Sequence, residues 1–132
     1  MIKQLLAQAL VRRGKKHGLS PAALEQKHVD PAHPFPNDST FFYGGDEAGN
    51  AAIFRLAFRG QRAPECWLDV RLAGKGGFGL VANPGPEREG FVLGDVAFVC
   101  QEPGKAWRLT YRGPLTDTEG NLGEGEVDLS FR

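Results

Sequence analysis

The sequence predicts a mainly β protein, an antiparallel β-barrel or half-open β-sandwich of about eight strands preceded by an N-terminal amphipathic helix. From residue 40 onward, apolar and polar residues alternate along several short segments, which is the period of a β-strand. Turns rich in Gly, Pro, Asn and Asp separate these segments. No helical pattern lies between them, and this disfavours a parallel sheet with crossover helices.

The chain opens with a segment that has the apolar period of an amphipathic helix. The residues that share its apolar face are Ile2, Leu5, Leu6, Ala9 and Leu10. Basic residues follow at positions 12–16, where cations favour the C-terminal end of a helix, and Gly14 or Gly18 can cap it. We therefore predict a helix over residues 2–13. It would close the mouth of a barrel or cover an open sheet edge, and contact with a membrane surface is a less common use.

A second, shorter helix is predicted over residues 21–27. Ser20 has the N-cap position and Pro21 the first helical position. Leu19 and Leu24 stand where a hydrophobic staple would place them.

A proline-rich segment separates these helices from the rest of the chain. DPAHPFPND, residues 30–38, contains three prolines, which exclude both a helix and a central strand. We therefore divide the chain into a helical extension with a proline-rich linker, residues 1–38, and an antiparallel β-barrel or sandwich domain, residues 39–132.

The β domain begins with the pattern of a hairpin. FFYGGD is followed by the turn sequence DEAGN and then by AAIFRLAFR, residues 51–59. One side of this second strand carries Ala52, Phe54, Leu56 and Phe58, and the other carries Ile53, Arg55, Ala57 and Arg59. The apolar side is expected to face the interior and the other side to face water.

The later strands follow the same alternation. ECWLDVRL, residues 65–72, places Cys66, Leu68, Val70 and Leu72 on one side and Glu65, Trp67, Asp69 and Arg71 on the other. Further strands are expected in GLVA, FVLGD, VAFVCQ, WRLTYR and EVDLSFR. Between two of them EPGK, residues 102–105, has Pro and Gly where a type II turn requires them.

The stretch GKGGFGLV, residues 74–81, matches the glycine-rich phosphate loop of protein kinases and the looser dinucleotide fingerprint. A kinase loop needs a lysine on the following strand, but ANPGP follows here. A dinucleotide site needs a helix directly after the glycines, and Pro84 and Pro86 disfavour one. We therefore interpret the glycines as a hairpin corner or a bend in the sheet.

Composition excludes several classes of function. Sixteen basic and sixteen acidic residues leave no net charge, which disfavours a nucleic-acid-binding protein. The apolar runs are too short to span a bilayer and no secretory leader opens the chain, so we expect a soluble, cytoplasmic protein. Cys66 and Cys100 are expected to be reduced, buried thiols. His17, His28 and His33 have no ligand spacing, so neither a metal nor another cofactor is predicted.

No motif points to catalysis. The serines lie in no nucleophile elbow, and neither cysteine has a histidine in a recognisable pattern. Asp117, Glu119 and Asn121 resemble a cation-binding loop only faintly, and a solvated loop is the preferred interpretation. Arginines on the wet sides of the strands could meet an anion, but such arginines usually serve as solvated surface. An enzyme is therefore the less favoured class.

Aromatic and aliphatic side chains on the predicted inner sides are the candidate ligand-binding residues. They are Phe54, Leu56, Phe58, Leu68, Val70, Phe98, Trp107, Leu109 and Tyr111. A barrel of about eight strands is wide enough either to be filled by such side chains or to hold one small apolar ligand. The sequence pattern is the same in both cases, so both stay open.

Three segments carry a resemblance to a known family: residues 33–59, 65–72 and 99–115, the last followed by EVDLSFR. They resemble the lipocalin-like domain of the AttH and hydroxyneurosporene-synthase-type group, most closely the version found in phosphoenolpyruvate-synthase-like proteins. The recurring Pro, Trp and Tyr-x-Gly of that group are matched here by Pro103, Trp107, Tyr111 and Gly113.

The resemblance implies a calycin-like β-barrel that accommodates a lipophilic molecule, and it transfers no catalytic residue. Members of the group usually carry two such barrels in tandem, whereas this chain has the length of about one. We therefore expect a homodimer that recreates the tandem arrangement. The leading expectation is a non-catalytic domain that binds an apolar ligand. The alternatives are a structural or oligomerisation module with a filled core, and an isomerase or hydratase that acts on a lipophilic substrate.

Overall fold

The structure, a computed structural model, describes residues 20–30, 32–81 and 84–132. The helix predicted over residues 2–13 lies outside the described residues. Within the described parts, one short helix, α1, precedes nine strands. The elements are α1 (Pro21–Leu24), β1 (Asp38–Gly45), β2 (Ala51–Arg59), β3 (Arg62–Leu72), β4 (Gly76–Leu80), β5 (Glu87–Arg88), β6 (Phe91–Leu93), β7 (Val96–Glu102), β8 (Ala106–Asp117) and β9 (Leu122–Phe131).

All nine strands belong to one antiparallel sheet with the order β1-β2-β3-β4-β8-β7-β6-β5, and β9 pairs with β8. Strand β8 joins the two parts of the sheet because it is long enough to pair with two strands, one after the other, along the same edge. Its first half pairs with β7, and its last residues, Leu115 to Asp117, pair with β4. Its other edge pairs with β9 from Trp107 to Thr116.

The prediction of a mainly β, antiparallel fold is confirmed, but the sheet is not closed into a barrel. Strands β1 and β9 are not paired with each other. The rings of Phe42 on β1 and Phe131 on β9 are in contact, with their centroids 5.1 Å apart, and both side chains pack against the core. Side chains, and not a ladder of backbone hydrogen bonds, therefore connect these two strands.

Helix α1 starts as predicted and ends earlier. Ser20 is the N-cap, its Oγ accepts a hydrogen bond from the Ala23 amide at 3.1 Å, and Pro21 follows. The helix ends at Leu24 and not at residue 27. The residues directly after this end make tertiary contacts: Glu25 accepts a hydrogen bond from the Gly104 amide (2.9 Å), and Lys27 binds Glu87 (2.6 Å).

The core lies on the inner side of the curved sheet and is mostly aromatic. Its buried members are Phe54, Leu56, Phe58, Leu68, Phe91, Leu93, Val96, Phe98, Trp107, Leu109, Tyr111 and Val127. In β2, the alternation predicted from the sequence places Phe54, Leu56 and Phe58 there. Burial of side chains of this size stabilises a fold by about 1.5–3 kcal/mol each.

Ala57 departs from the predicted alternation. It was expected on the wet side of β2, yet it is fully buried. Glu65 lies opposite it in the sheet, and that carboxylate binds both Arg55 (2.8 Å) and Arg59 (2.5 Å), the two neighbours of Ala57 on its own side of the strand. The ion-paired side chains therefore cover the Ala57 methyl group, which alternation alone could not predict.

Both predicted turns around the later strands are present. Lys105 donates its amide hydrogen to the Glu102 carbonyl (3.0 Å), and Gly104 has φ +72°, as the third residue of a type II turn requires. The glycine-rich stretch forms the turn between β3 and β4 and then β4 itself. The hairpin-corner interpretation of residues 74–81 is therefore confirmed.

Candidate functional site

The nine candidate residues have been placed by the fold in one cluster. Eight of them are buried in the core, and Val70 is half-buried and packs against it. The rings at the centre contact one another: Phe54 and Phe98 have centroids 6.3 Å apart, and Phe91 lies 5.8 Å from Trp107. Edge-to-face pairs of this kind add about 0.5–1.5 kcal/mol beyond the burial of their area.

Tyr111 has a local partner that explains the Tyr-x-Gly motif. Its hydroxyl donates a hydrogen bond to the Pro114 carbonyl at 2.9 Å. The ring passes directly over Gly113, where a β-carbon would lie 2.7 Å from the Tyr111 oxygen. Burial, followed by the charges of Glu124 and Asp95, raises the pKa of Tyr111. The motif thus forms a local hydrogen bond within β8. Glycine is needed at position 113 because the Tyr111 ring occupies the space that a side chain there would fill.

One surface opening lies where β4 connects β3 to β8. It is a groove of about 400 Å³, within the range of small-molecule sites. Ala52, Val70 and Leu80 line it and also pack against the core, so the groove opens onto the margin of the apolar interior. The rest of its lining is Ala51, Ile53, Asp69, Arg71, Gly77, Phe78, Gly79, Thr116, Asp117 and Thr118.

Two glycines of the stretch GKGGFGLV are part of this groove. A β-carbon on Gly79 would lie 2.9 Å from a carboxylate oxygen of Asp69, and one on Gly77 would lie 3.3 Å from the Thr118 methyl group. These glycines let neighbouring side chains approach the backbone of β4 closely. They stand in a strand paired on both sides, whereas a dinucleotide site would require a helix at this point.

The ionisable groups of the groove are Asp69, Arg71 and Asp117. Asp117 already has structural partners: it accepts hydrogen bonds from the backbone amides of Glu119 and Asn121 and from the Asn121 side chain, each 2.9 Å long. The bonds from Asn121 are the main reason that the pKa of Asp117 is lowered. Asp117, Glu119 and Asn121 therefore belong to a hairpin turn whose hydrogen bonds are made within the turn.

The same turn occurs twice in the sheet, a repetition that the sequence predictions do not include. Residues 46–50, DEAGN, and residues 117–121, DTEGN, share the pattern D-x-x-G-N and the same bonds. The repeated spacing of Asp, Gly and Asn was the available signal.

Other candidate residues face different openings. Phe98 and Trp107 line a depression of about 580 Å³ between residues 25–27 and strands β6 and β7. Tyr111 lines another, of about 400 Å³, beside β9. Of the nine candidates, Val70 alone lines the groove at β4. The structure thus brings the candidates together in one core. Four of them also line surface openings, and these openings lie on three different parts of the sheet.

The cysteines are unpaired by a disulfide and half-buried. Burial raises the pKa of the Cys66 thiol to about 12, and burial together with the charge of Glu25 raises the pKa of Cys100. Both thiols therefore stay protonated at neutral pH and are poor nucleophiles. Across residues 20–30, 32–81 and 84–132, no group of three or more His, Cys, Asp or Glu side chains could hold a metal ion.

In the described part of the chain, no helix has the length and apolar character needed to cross a membrane. Comparisons with protein-family models, with curated proteins and with solved structures found no match to this chain.

Proposed function

We propose that the protein is a non-catalytic binding domain of lipocalin-like type, which holds a small apolar ligand in the groove where β4 connects β3 to β8. The observation that carries the proposal is the shared lining: Ala52, Val70 and Leu80 belong both to the groove and to the shell of the core. A ligand seated there would remove apolar surface from water without any opening of the aromatic centre. Such burial contributes about 25 cal/mol per Å².

One ionisable group of the groove, Asp117, supports a binding role over a catalytic one. A general acid or base needs a titratable group that is within reach of the substrate and available for proton transfer. Asp117 is held by the hairpin turn, and its pKa is lowered, which makes it a weak base at neutral pH. Catalysis on a lipophilic substrate stays the least favoured alternative.

The ligand proposal can be tested with a neutral apolar fluorescent probe, N-phenyl-1-naphthylamine, and a variant that fills the groove. We expect wild type to bind the probe with saturation and Ala52→Phe to weaken binding at least about tenfold, equivalent to about 1.4 kcal/mol. Ala97→Phe is the matched control, because Ala97 is also a half-buried strand alanine but lies on β7, away from the groove. Probe binding that does not saturate, or that Ala52→Phe leaves unchanged, would contradict the proposal.

A second candidate function is a structural module whose purpose is assembly. The ring contacts of Phe54, Phe98 and Trp107 within the core favour it, because such packing leaves the interior with a purely structural role. Under both functions we propose that the protein works as a homodimer, as the resemblance to tandem barrels implies. Extraction of natively purified protein with organic solvent, followed by mass spectrometry, separates the two: recovery of an apolar compound favours the ligand, and its absence favours assembly.

A further inference from the structure

The depression between residues 25–27 and strands β6 and β7 presents apolar surface. Its volume is about 580 Å³, and Phe91, Phe98 and Trp107 line it and belong to the core. Val99 also lines it and is 52% exposed. The depression shares no lining residue with the groove at β4, so the two openings are separate sites.

The charged residues of this depression leave it acidic. Glu25 and Glu89 line it, and within the described part of the chain neither carboxylate is in a salt bridge. Lys27 lines it as well, but it is paired with Glu87 at 2.6 Å. The charges of the lining that have no ionic partner among the described residues are therefore negative.

The charges of the chain are distributed unevenly, although they sum to zero. Residues 1–19 contain five of the sixteen basic residues and none of the sixteen acidic ones. The five are Lys3, Arg12, Arg13, Lys15 and Lys16. Residues 20–132 contain the other eleven basic residues and all sixteen acidic ones. Opposite net charges attract the first nineteen residues to the rest of the chain, whereas an anionic membrane surface would repel that acidic remainder.

The helix predicted over residues 2–13 needs a surface to pack against. An isolated helix of about 12 residues is only marginally stable in water, and most of the stability of such a helix comes from packing of its apolar face. Leu5, Leu6 and Leu10 are the largest side chains of that face together with Ile2, and basic residues follow at positions 12–16. This pattern fits an apolar surface with an acidic margin.

The chain enters the described structure beside the depression. Ser20 is the N-cap of α1, which has four residues and is about 6 Å long. Glu25, the residue directly after α1, lines the depression. Residues 14–19 can span at most about 20 Å, so residues 2–13 are tethered within reach of it. A short tether of this kind gives an effective concentration of about 1 mM, so that modest contacts suffice for docking.

We propose that residues 2–13 form the predicted helix and dock its apolar face in the depression between residues 25–27 and strands β6 and β7. The basic residues at the end of this helix then lie beside the acidic margin, where Glu25 and Glu89 compensate their charge. The docked helix covers the apolar lining from solvent. The inference depends neither on the ligand groove at β4 nor on the homodimer.

The reactivity of Cys100 tests the proposal in the full chain. Cys100 lines the depression, whereas Cys66 lies on β3 and does not. Alkylation with iodoacetamide is followed for each thiol by mass spectrometry of the tryptic peptides 63–71 and 89–105. We expect Leu6→Asp to release the helix and to raise the alkylation rate of Cys100 at least about fivefold, with Cys66 within about twofold of wild type.

Gln4→Asp is the matched control. It introduces the same charge into the same predicted helix, but Gln4 lies on the side opposite the apolar face. We expect both thiols to react in this variant as they do in wild type. Cys66 also serves as an internal control for folding, because global unfolding would accelerate both thiols together.

A second pair of variants tests the charge of the margin. Glu89→Lys places a positive charge in the lining and should raise the alkylation rate of Cys100 about twofold or more. Glu47→Lys makes the same change in the turn between β1 and β2, away from the depression, and should leave the rate unchanged. Equal acceleration by both variants would mean that net charge alone attracts residues 1–19, without this docking site.

Hydrogen exchange locates the helix independently of the thiols. Amides of residues 2–13 should exchange more slowly in wild type than in Leu6→Asp. If that protection is present but Leu6→Asp leaves Cys100 unchanged, the helix packs elsewhere and this surface is wrong. If residues 2–13 exchange as fast as a free peptide, docking is overturned altogether.

Vesicles separate docking from a membrane role. Wild type is mixed with phosphatidylcholine vesicles that contain phosphatidylserine, and bound protein is measured by sedimentation. Binding that Leu6→Asp abolishes, together with a Cys100 rate that Leu6→Asp does not change, assigns the helix to a membrane surface and overturns the proposal. The probe titration with Ala52→Phe decides the ligand proposal whatever these results are.

Discussion

Two hairpins of the sheet, β1–β2 and β8–β9, are closed by the same five-residue turn. In each, the aspartate amide binds the asparagine carbonyl at 3.0 Å, and the asparagine amide binds the aspartate carboxylate. Gly49 and Gly120 hold equivalent positions with φ +89° and +86°. Bonds within five residues and a glycine in the left-handed region suffice to build this turn.

The two turns differ in what lies beyond them. The Asn50 side-chain oxygen also accepts a hydrogen bond from the Ala73 amide at 2.9 Å, which ties the first turn to the connection between β3 and β4. Among the described residues, Asn121 has its second contact with Glu119, at 3.5 Å, within its own turn. Asn50 is half-buried and Asn121 is exposed. The same local motif thus connects the first hairpin to the β3–β4 turn, whereas in the second hairpin its hydrogen bonds stay within the turn.

Substitutions in the strands of the two hairpins should differ most in their effect on the free energy of unfolding. Leu56 on β2 is fully buried, whereas Leu129 on β9, an edge strand, is half-buried. We expect Leu56→Ala to lower the free energy of unfolding by about 2–5 kcal/mol, and Leu129→Ala by about half as much, because a site near the edge loses less contact and can relax. Urea unfolding measures both values. Equal losses would show that the two hairpins contribute equally to the core.

The asparagines should give a smaller difference. Asn50→Ala and Asn121→Ala each remove the bonds to the aspartate of the turn, but Asn50→Ala also removes the acceptor of the Ala73 amide. We expect Asn50→Ala to be the more destabilising by about 1 kcal/mol, the net value of one hydrogen bond. Thermal unfolding of the two variants side by side tests this expectation. If Asn121→Ala is equally destabilising, the link to Ala73 contributes nothing to stability.

The smallest expected effect concerns the pH dependence of stability, and it should be the same for both turns. Hydrogen bonds from Asn50 and from Asn121 are the main causes that lower the pKa of Asp46 and Asp117 in the folded protein. A carboxyl with a lowered folded pKa stabilises the fold above its unfolded pKa of about 3.9, and this stabilisation is lost as pH falls through the folded value. We expect Asp46→Asn and Asp117→Asn to flatten the dependence of stability on pH below about pH 4 to a similar, small extent.

Unfolding in urea at several pH values between about 2.5 and 6 measures that dependence. Wild type provides the reference slope, and Glu119→Gln is a control because its carboxylate caps no backbone amide of the turn. A slope in Asp46→Asn that matches wild type would mean that the aspartate is not held more strongly in the folded chain than in the unfolded one.

Structural features that depend on a few neighbouring residues could be predicted from the sequence. The cap at Ser20, the type II turn at residues 102–105 and the inner residues of β2 all occur as the sequence predicts. The two D-x-x-G-N turns are also local patterns, because their hydrogen bonds lie within five residues. In contrast, local patterns gave neither the end of α1 at Leu24 nor the contacts that Glu25 and Lys27 make there with distant residues.

The candidate site shows the same division. Alternation marked the side chains that enter the core, and eight of the nine candidates are buried there. Periodicity does not encode distances between surfaces of different strands, so it could not locate the groove at β4. That groove exists because the last residues of β8 pair with β4, whose glycines admit Asp69 and Thr118 close to the backbone.

By itself, the sequence determined that this chain forms antiparallel strands with one apolar side, since alternation, turn residues and caps act through neighbours in the chain. The tertiary structure alone decided that β8 pairs with both β4 and β7, that ion pairs cover Ala57, and that β1 and β9 meet through Phe42 and Phe131 without pairing. The physical reason is that pairing between strands far apart in sequence depends on the simultaneous packing of all their side chains, and no single segment contains that information.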